Sequence, residues 1–192
     1  MTSVTIFGSG NMGTAIDDLL SAGGATVEHL TTSSAPDSPI NGDIVVLAVP
    51  YPALSEIAAT YGDQLAGKVV VDITNPLNFE TFDSLAVPAD SSAAAELAAA
   101  LPDSQVLKAF NTNFAATLAT KAVGANKATV LIAGDDAEAK AALADAVQAG
   151  GIDAIDAGAL TRARELEAFG FLQLKLALAD QLGWTGGFAS VR

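Results

Sequence analysis

Apolar and polar positions follow two different rhythms along this chain, and the change from one to the other marks its elements. Ser3 to Phe7 is a short β-branched and aromatic run. It passes without a gap into Gly8-Ser9-Gly10-Asn11-Met12-Gly13, after which apolar residues at Met12, Ala15, Ile16, Leu19 and Leu20 keep the spacing of one helical face. The pattern reads as strand, tight turn and helix, and Gly23-Gly24 closes the helix with glycine past its last turn. Ala25 to Leu30 is the second strand. Asp43 to Val49 is almost continuously apolar, as in a strand buried on both faces of a parallel sheet.

The rest of the chain keeps alternating in the same way. The pattern predicts a helix over Ala53 to Tyr61, a strand over Gly67 to Ile73 and a loop over Phe79 to Ser91. A slim, alanine-rich helix over Ser92 to Leu101 precedes a strand over Gln105 to Phe110. A strand over Ala128 to Ala133 and a helix over Ala137 to Gln148, capped from Asp135-Asp136, come next. A short strand over Ile152 to Ile155 and a final helix starting near Leu160 complete the set. Ala35 to Gly42 is polar, contains prolines and is too short for a crossover helix. The fold class implied is α/β: a Rossmann-like, doubly wound, mostly parallel sheet with extra C-terminal strands and a terminal helix. One domain over 1–192 is expected, with 159–192 as a small helical extension.

Composition narrows the partners. Half of the 192 residues are apolar, which suits a packed core, and 22 acidic against 9 basic residues give a formal charge of −13. Nucleic acid and anionic membrane surfaces are repelled by such a field. With no long uninterrupted apolar segment and no leader pattern, a soluble, cytoplasmic protein is expected. The absence of cysteine removes disulfides and thiolate chemistry. No Ser-His-Asp, Cys-His or metal-ligand grouping stands out, so no metal is expected.

The chemistry gathers at the predicted carboxyl ends of the strands. Gly8 lets the chain reverse, Gly10 lets the backbone approach a diphosphate, and Gly13 lets the helix lie close to the strand. The helix start then offers N–H groups to the phosphates. After the second strand, where NAD sites carry an acid for the ribose 2′-hydroxyl, this chain has Thr31-Thr32-Ser33-Ser34, four hydroxyls that do not repel a 2′-phosphate. Ala48, Val49, Pro50 and Tyr51 should wall the bound coenzyme. Asp72, at the end of its strand, needs partners, with backbone N–H groups of the next turn as its expected donors; Lys108 reads as a structural partner for such an acid. His29, the single histidine, reads as structural.

Taken in order, Gly8 to Gly13, Ala48-Val49-Pro50, Asp72 to Leu77, Lys108 to Thr112, Ala133 to Asp136, and Asp156-Ala157-Gly158 with Arg164 and Glu165 resemble the NADPH-dependent oxidoreductases of coenzyme F420. The resemblance implies an NADP(H)-linked oxidoreductase that transfers a hydride to a deazaflavin or flavin, with F420 or a flavin as second substrate, and it suggests a homodimer. It assigns Ser9 and Thr32 to the 2′-phosphate region. It assigns Asn75, Pro76, Leu77, Ala109, Phe110 and Asn111 to the nicotinamide end. Asn11 and Met12 belong to the glycine turn, and Thr31 and Ser33 to the hydroxyl cluster. Where the family has Ser-Arg after the second strand, this chain has Thr32-Ser33. No acid or base is needed for the transfer, so the residues act by positioning. Two other readings stand beside this one: an NADPH-dependent reductase of an imine or metal chelate, and an NADP(H)-sensing module without turnover.

Overall fold

The structure, a computed structural model, describes residues 2–35 and 38–191. Pro36 and Asp37 of the predicted loop lie outside the described residues. Strand β1 (Ser3–Phe7) leads into helix α1 (Asn11–Ala22), and β2 (Thr26–Leu30) follows. Then come β3 (Ile44–Leu47), α2 (Ala53–Leu65), β4 (Val69–Asp72), α3 (Ala93–Ala100) and β5 (Gln105–Lys108). Beyond β5 are α4 (Ala115–Thr120), a hairpin of β6 (Ala122–Val123) and β7 (Asn126–Lys127), β8 (Thr129–Gly134), α5 (Ala137–Ala149) and β9 (Asp153–Gly158). A single 3-10 turn over Leu160–Arg162 runs into the last helix, α6 (Ala163–Leu178).

The sheet has seven strands in the order β2-β1-β3-β4-β5-β8-β9. The first five are parallel. β8 is antiparallel to β5 and parallel to β9. Chain order reverses between β1 and β3, and that is the switch point where open α/β sheets take their ligands, beyond the carboxyl ends of the strands. Because Lys108 pairs with Ala133 and Leu107 with Gly134, β8 and β9 end on the opposite edge from that rim.

Alternate strand residues point to opposite faces, and each face has its own core. Val4, Ile6, Ile44, Val46, Val71 and Leu107 pack under α1, α4 and α5 with Ile16, Leu118 and Leu143. Phe7, Val45, Leu47, Val70 and Val106 pack under α2, α3 and the start of α6 with Ile57, Leu97 and Ala163. The cap expected before α5 forms, Asp136 Oδ1 accepting from Ala139 N at 2.7 Å, and α3 has one too, Ser92 Oγ accepting from Ala95 N at 3.0 Å. Asp135 instead accepts from Leu160 N at 2.9 Å and so ties the final turn to α5. Three elements differ from the sequence expectation: α4, the β6–β7 hairpin, and the antiparallel direction of β8. Each is short or set by long-range pairing, so local periodicity carries no trace of it.

Candidate functional site: a dinucleotide cleft and its buried support

The turn after β1 is built around two close approaches and one open position. Gly8 has φ +101°, and a Cβ there would stand 2.3 Å from the Ala48 carbonyl oxygen. A Cβ on Gly13 would stand 2.7 Å from the Gly8 oxygen, so α1 packs against the turn itself. Gly10, by contrast, has nothing among the described residues within 4 Å of where its Cβ would be. It caps α1 without a side-chain bond, and the first helical turn holds no acid. The leading N–H groups therefore keep their partial positive charge facing open space. His29 braces this turn from behind. Its Nδ1 donates to the Gly8 carbonyl at 2.8 Å, and its Nε2 meets the Asp17 carboxylate at 2.9 Å.

A cleft of about 540 Å³ opens from the turn. Its floor is Gly8, Ser9 and Gly10, and one side is Ala48, Val49 and Pro50. Thr31, Thr32 and Ser34 close its outer end, with Ile57, Thr60 and Tyr61 of α2 opposite. Ser33 joins through its Oγ, 2.7 Å from Thr31 Oγ1. Glu56 of α2 lines the cleft as well. Glu28 of β2 is turned to the sheet: it accepts from Thr5 Oγ1 at 2.7 Å and from Asn41 N and Nδ2 at 3.0 and 2.9 Å. Partial burial raises its pKa, but the bonds from Asn41 and Thr5 outweigh this and leave it below the usual carboxylate value. The residues present fit a dinucleotide: an open glycine cradle for the diphosphate, and hydroxyls after β2 where NAD sites carry an acid for the ribose 2′-hydroxyl. Tyr51 corrects the expectation that it walls the cleft. Its hydroxyl donates to Glu96 Oε2 at 2.6 Å, and its ring lines a separate cavity between α2 and α3. Burial first, and the Glu96 carboxylate second, raise its phenol to about 12.

The ends of β4 and β5 supply a different surface. Asn75 Nδ2 donates to the Asn111 carbonyl at 2.9 Å, and Asn111 Nδ2 returns a bond to Asn75 Oδ1 at 2.9 Å. Asn111 Nδ2 also reaches the Leu166 carbonyl on α6 at 2.8 Å. Leu77, Ala109 and Phe110 are buried, and Phe110 sits at φ +61°. They shape the rim from beneath rather than lining it, and Pro76 is buried with them. Thr74 Oγ1 and Asn111 Oδ1 are buried polar atoms with no hydrogen-bond partner among the described residues.

Beneath this rim lies a cluster that sequence reasoning found only in part. Lys108 and Asp72 pair as expected, Nζ to Oδ2 at 2.9 Å, and Asp72 Oδ1 accepts from Thr74 N at 2.7 Å. The unforeseen member is Glu167, whose Oε1 lies 2.8 Å from Lys108 Nζ. Its two oxygens also accept from Ala93 N and Ala94 N at the start of α3, at 3.0 and 3.3 Å. The third Lys108 donor goes to the Thr74 carbonyl. All three ionic side chains have no exposed surface. The signal for Glu167 was present in the sequence: a carboxylate at helical spacing within the stripe Ala163, Leu166, Gly170, Gln173, Ala177, all of which are buried.

The doubly wound sheet, the glycine cradle and the cleft at its switch point define a dinucleotide-binding protein of the Rossmann-like class. Residues 22–76 match the family described as NADP oxidoreductase, coenzyme F420-dependent. The chain is 32% identical over 154 residues to the F420-dependent NADP reductase of Methanocaldococcus jannaschii, covering 78% of this chain and 69% of that protein. It is 37% identical over 125 residues to the metalloreductase STEAP3 of Rattus norvegicus, covering 65% of this chain but only 24% of that protein's length. A crystal structure of a candidate F420-dependent NADP reductase from Arthrobacter sp. FB24 has the same fold, with a TM-score of 0.85, 24% identity and 100% coverage of both chains. This chain belongs to the coenzyme F420-dependent NADP oxidoreductases, a family of NADP-linked oxidoreductases. Among the described residues no helix is long and apolar enough to cross a membrane.

Proposed function

We propose that this protein transfers a hydride between NADP(H) and a planar acceptor, a deazaflavin such as coenzyme F420 or a flavin. The observation that carries this reading is the open Gly10 cradle leading into a cleft whose ribose end presents hydroxyls while Glu28 faces away. Gly8, Ser9, Gly10, Asn11, Met12 and Gly13 hold the diphosphate, and Thr31, Thr32 and Ser33 take the 2′-phosphate. Ala48, Val49 and Pro50 wall the coenzyme, and the Asn75–Asn111 pair holds the pyridine end. Pro76, Leu77, Ala109 and Phe110 support that end from below.

The coenzyme supplies the hydride; the chain supplies placement and a dry floor. A hydride passing between two stacked rings needs no side-chain acid or base, so the buried Phe110 and Ala109 act by shape and by excluding water. The acceptor meets the pyridine end beside α6, whose exposed Phe169, Leu172 and Leu176 form an apolar stripe. The same stripe supports a homodimer: from 160 to 180 the chain carries three basic and three acidic residues, so copies of a chain at −13 meet there across a segment with no net charge. The cysteine-free composition suits a reducing cytoplasm.

Stopped-flow mixing of the protein with NADPH and F420, FMN or FAD tests the reading, with loss of NADPH absorbance expected for at least one of them. Tight NADP(H) binding with no acceptor reduced would favour a nucleotide sensor instead. Reduction of a cyclic imine or a ferric chelate alone would move the protein to another acceptor class.

A further inference from the structure

Asp72, Lys108 and Glu167 are wholly buried, yet each lies three residues or fewer from a residue that holds the Asn75–Asn111 carboxamide pair. We propose that Glu167 is a positioning residue for the pyridine end of the coenzyme, fixing that pair through Lys108 and through the helix that carries it. The proposal rests on the coenzyme reading above.

Two routes run from Glu167 to the pair. The first passes through Lys108. Its ammonium has three acceptors, Asp72 Oδ2, Glu167 Oε1 and the Thr74 carbonyl, and the Thr74 carbonyl belongs to the peptide that carries Asn75. An ammonium that loses one acceptor shifts toward the other two and moves that peptide. The second route is α6 itself. Leu166, one residue before Glu167, accepts from Asn111 Nδ2 at 2.8 Å. Gly170, three residues after it, packs so closely that a Cβ would stand 2.6 Å from Asn75 Oδ1. Both carboxamides thus take their orientation from α6.

The height of α6 over the rim is set at Glu167, whose carboxylate bridges Lys108 to the start of α3. Anchoring alone would be served as well by an apolar side chain of similar size, since replacing a buried ionic group in that way is often neutral for stability. Charge-assisted hydrogen bonds add direction. The direction is spent here on a segment that also leaves Thr74 Oγ1 and Asn111 Oδ1 buried without partners among the described residues, polar groups next to the place assigned to the pyridine carboxamide.

Saturation-transfer NMR with NADP⁺ reads the two ends of the coenzyme separately, without any acceptor. In the wild-type protein both adenine and pyridine protons should receive saturation. In Glu167→Gln the adenine signals and the dissociation constant should hold, while most of the pyridine signal is lost. Gly170→Ala disturbs the same pair from the other side with the ionic cluster whole, should show the same loss, and decides the matter if Glu167→Gln does not fold. With an acceptor present, both variants should slow NADPH oxidation by about 10- to 100-fold at saturating coenzyme, as expected when reacting rings are misplaced by about an ångström. A folded variant whose pyridine protons are saturated as in the wild type overturns the positioning role. No saturation of either ring in the wild type would instead overturn the coenzyme reading, and the proposal with it.

Discussion

Asp72 and Lys108 face each other across neighbouring strands, paired in register and 2.9 Å apart at carboxylate and ammonium, with neither side chain reaching solvent. Glu167 comes to the same ammonium from α6, so one cation serves two acids inside the protein. Lys108→Met leaves both acids buried with no counter-charge, and should lower the unfolding free energy near neutral pH by about 3–5 kcal/mol. Urea unfolding checks this; an unchanged midpoint would mean that the acids are already neutral in the wild type.

Burial pushes the Glu167 carboxyl above its ordinary value, and Lys108 pulls it back only in part. A proton held more tightly in the folded than in the unfolded chain gives stability that is complete below pH 4.5 and is lost as pH rises through the folded-state value. Glu167→Gln keeps a neutral group at every pH. Its stability relative to the wild type should therefore climb as pH rises above 4.5, followed by urea unfolding at several pH values. Parallel stability curves for the two proteins would contradict the raised value.

Gly10 and Gly13 separate binding from folding. A methyl group at Gly10 meets open space, while one at Gly13 meets the Gly8 carbonyl oxygen at 2.7 Å. Gly13→Ala should cost about 1–3 kcal/mol of stability through overpacking. Gly10→Val should cost no more than about 1 kcal/mol, for the poorer N-cap, yet bind NADP at least about tenfold more weakly. Thermal unfolding and fluorescence titration of the two variants distinguish the roles, and equal losses of stability would erase the distinction.

Ser33 is exposed at the hydroxyl cluster, 2.7 Å from Thr31 Oγ1. Ser33→Arg places a cation where the resemblance puts the 2′-phosphate, and a charge-assisted bond of about 1.5–3 kcal/mol would tighten NADP about tenfold or more. NAD, lacking that phosphate, should be unaffected. Thermal shifts with each nucleotide measure the difference; an equal response to both would place the phosphate elsewhere.

Much of this was legible in the chain. The Asp72–Lys108 pairing spans 36 residues but follows from the need of a buried acid for a partner; the glycine turn and the strand–helix alternation are local facts, set by backbone freedom and by periodicity. Asp136 capping α5 is likewise a one-turn relationship. What escaped is long-range or directional. Glu167 meets Asp72's partner from 59 residues beyond Lys108, and only the folded chain brings them together. Whether Tyr51 faced the cleft or Glu96 depended on a side-chain direction that no spacing fixes. The direction of β8 hung on α4 and a hairpin too short to leave a periodic signature.

Between β2 and β3 no helix covers the sheet among the described residues, and the chain passes along the edge of the cleft as a loop. Thr32 and Ser33 stand exposed on that loop and take no part in either core. Nucleotide preference is thereby written on a segment with little packing duty. Exchange of one coenzyme for another can proceed there by single substitutions, while the doubly covered sheet that makes the protein stable is left untouched.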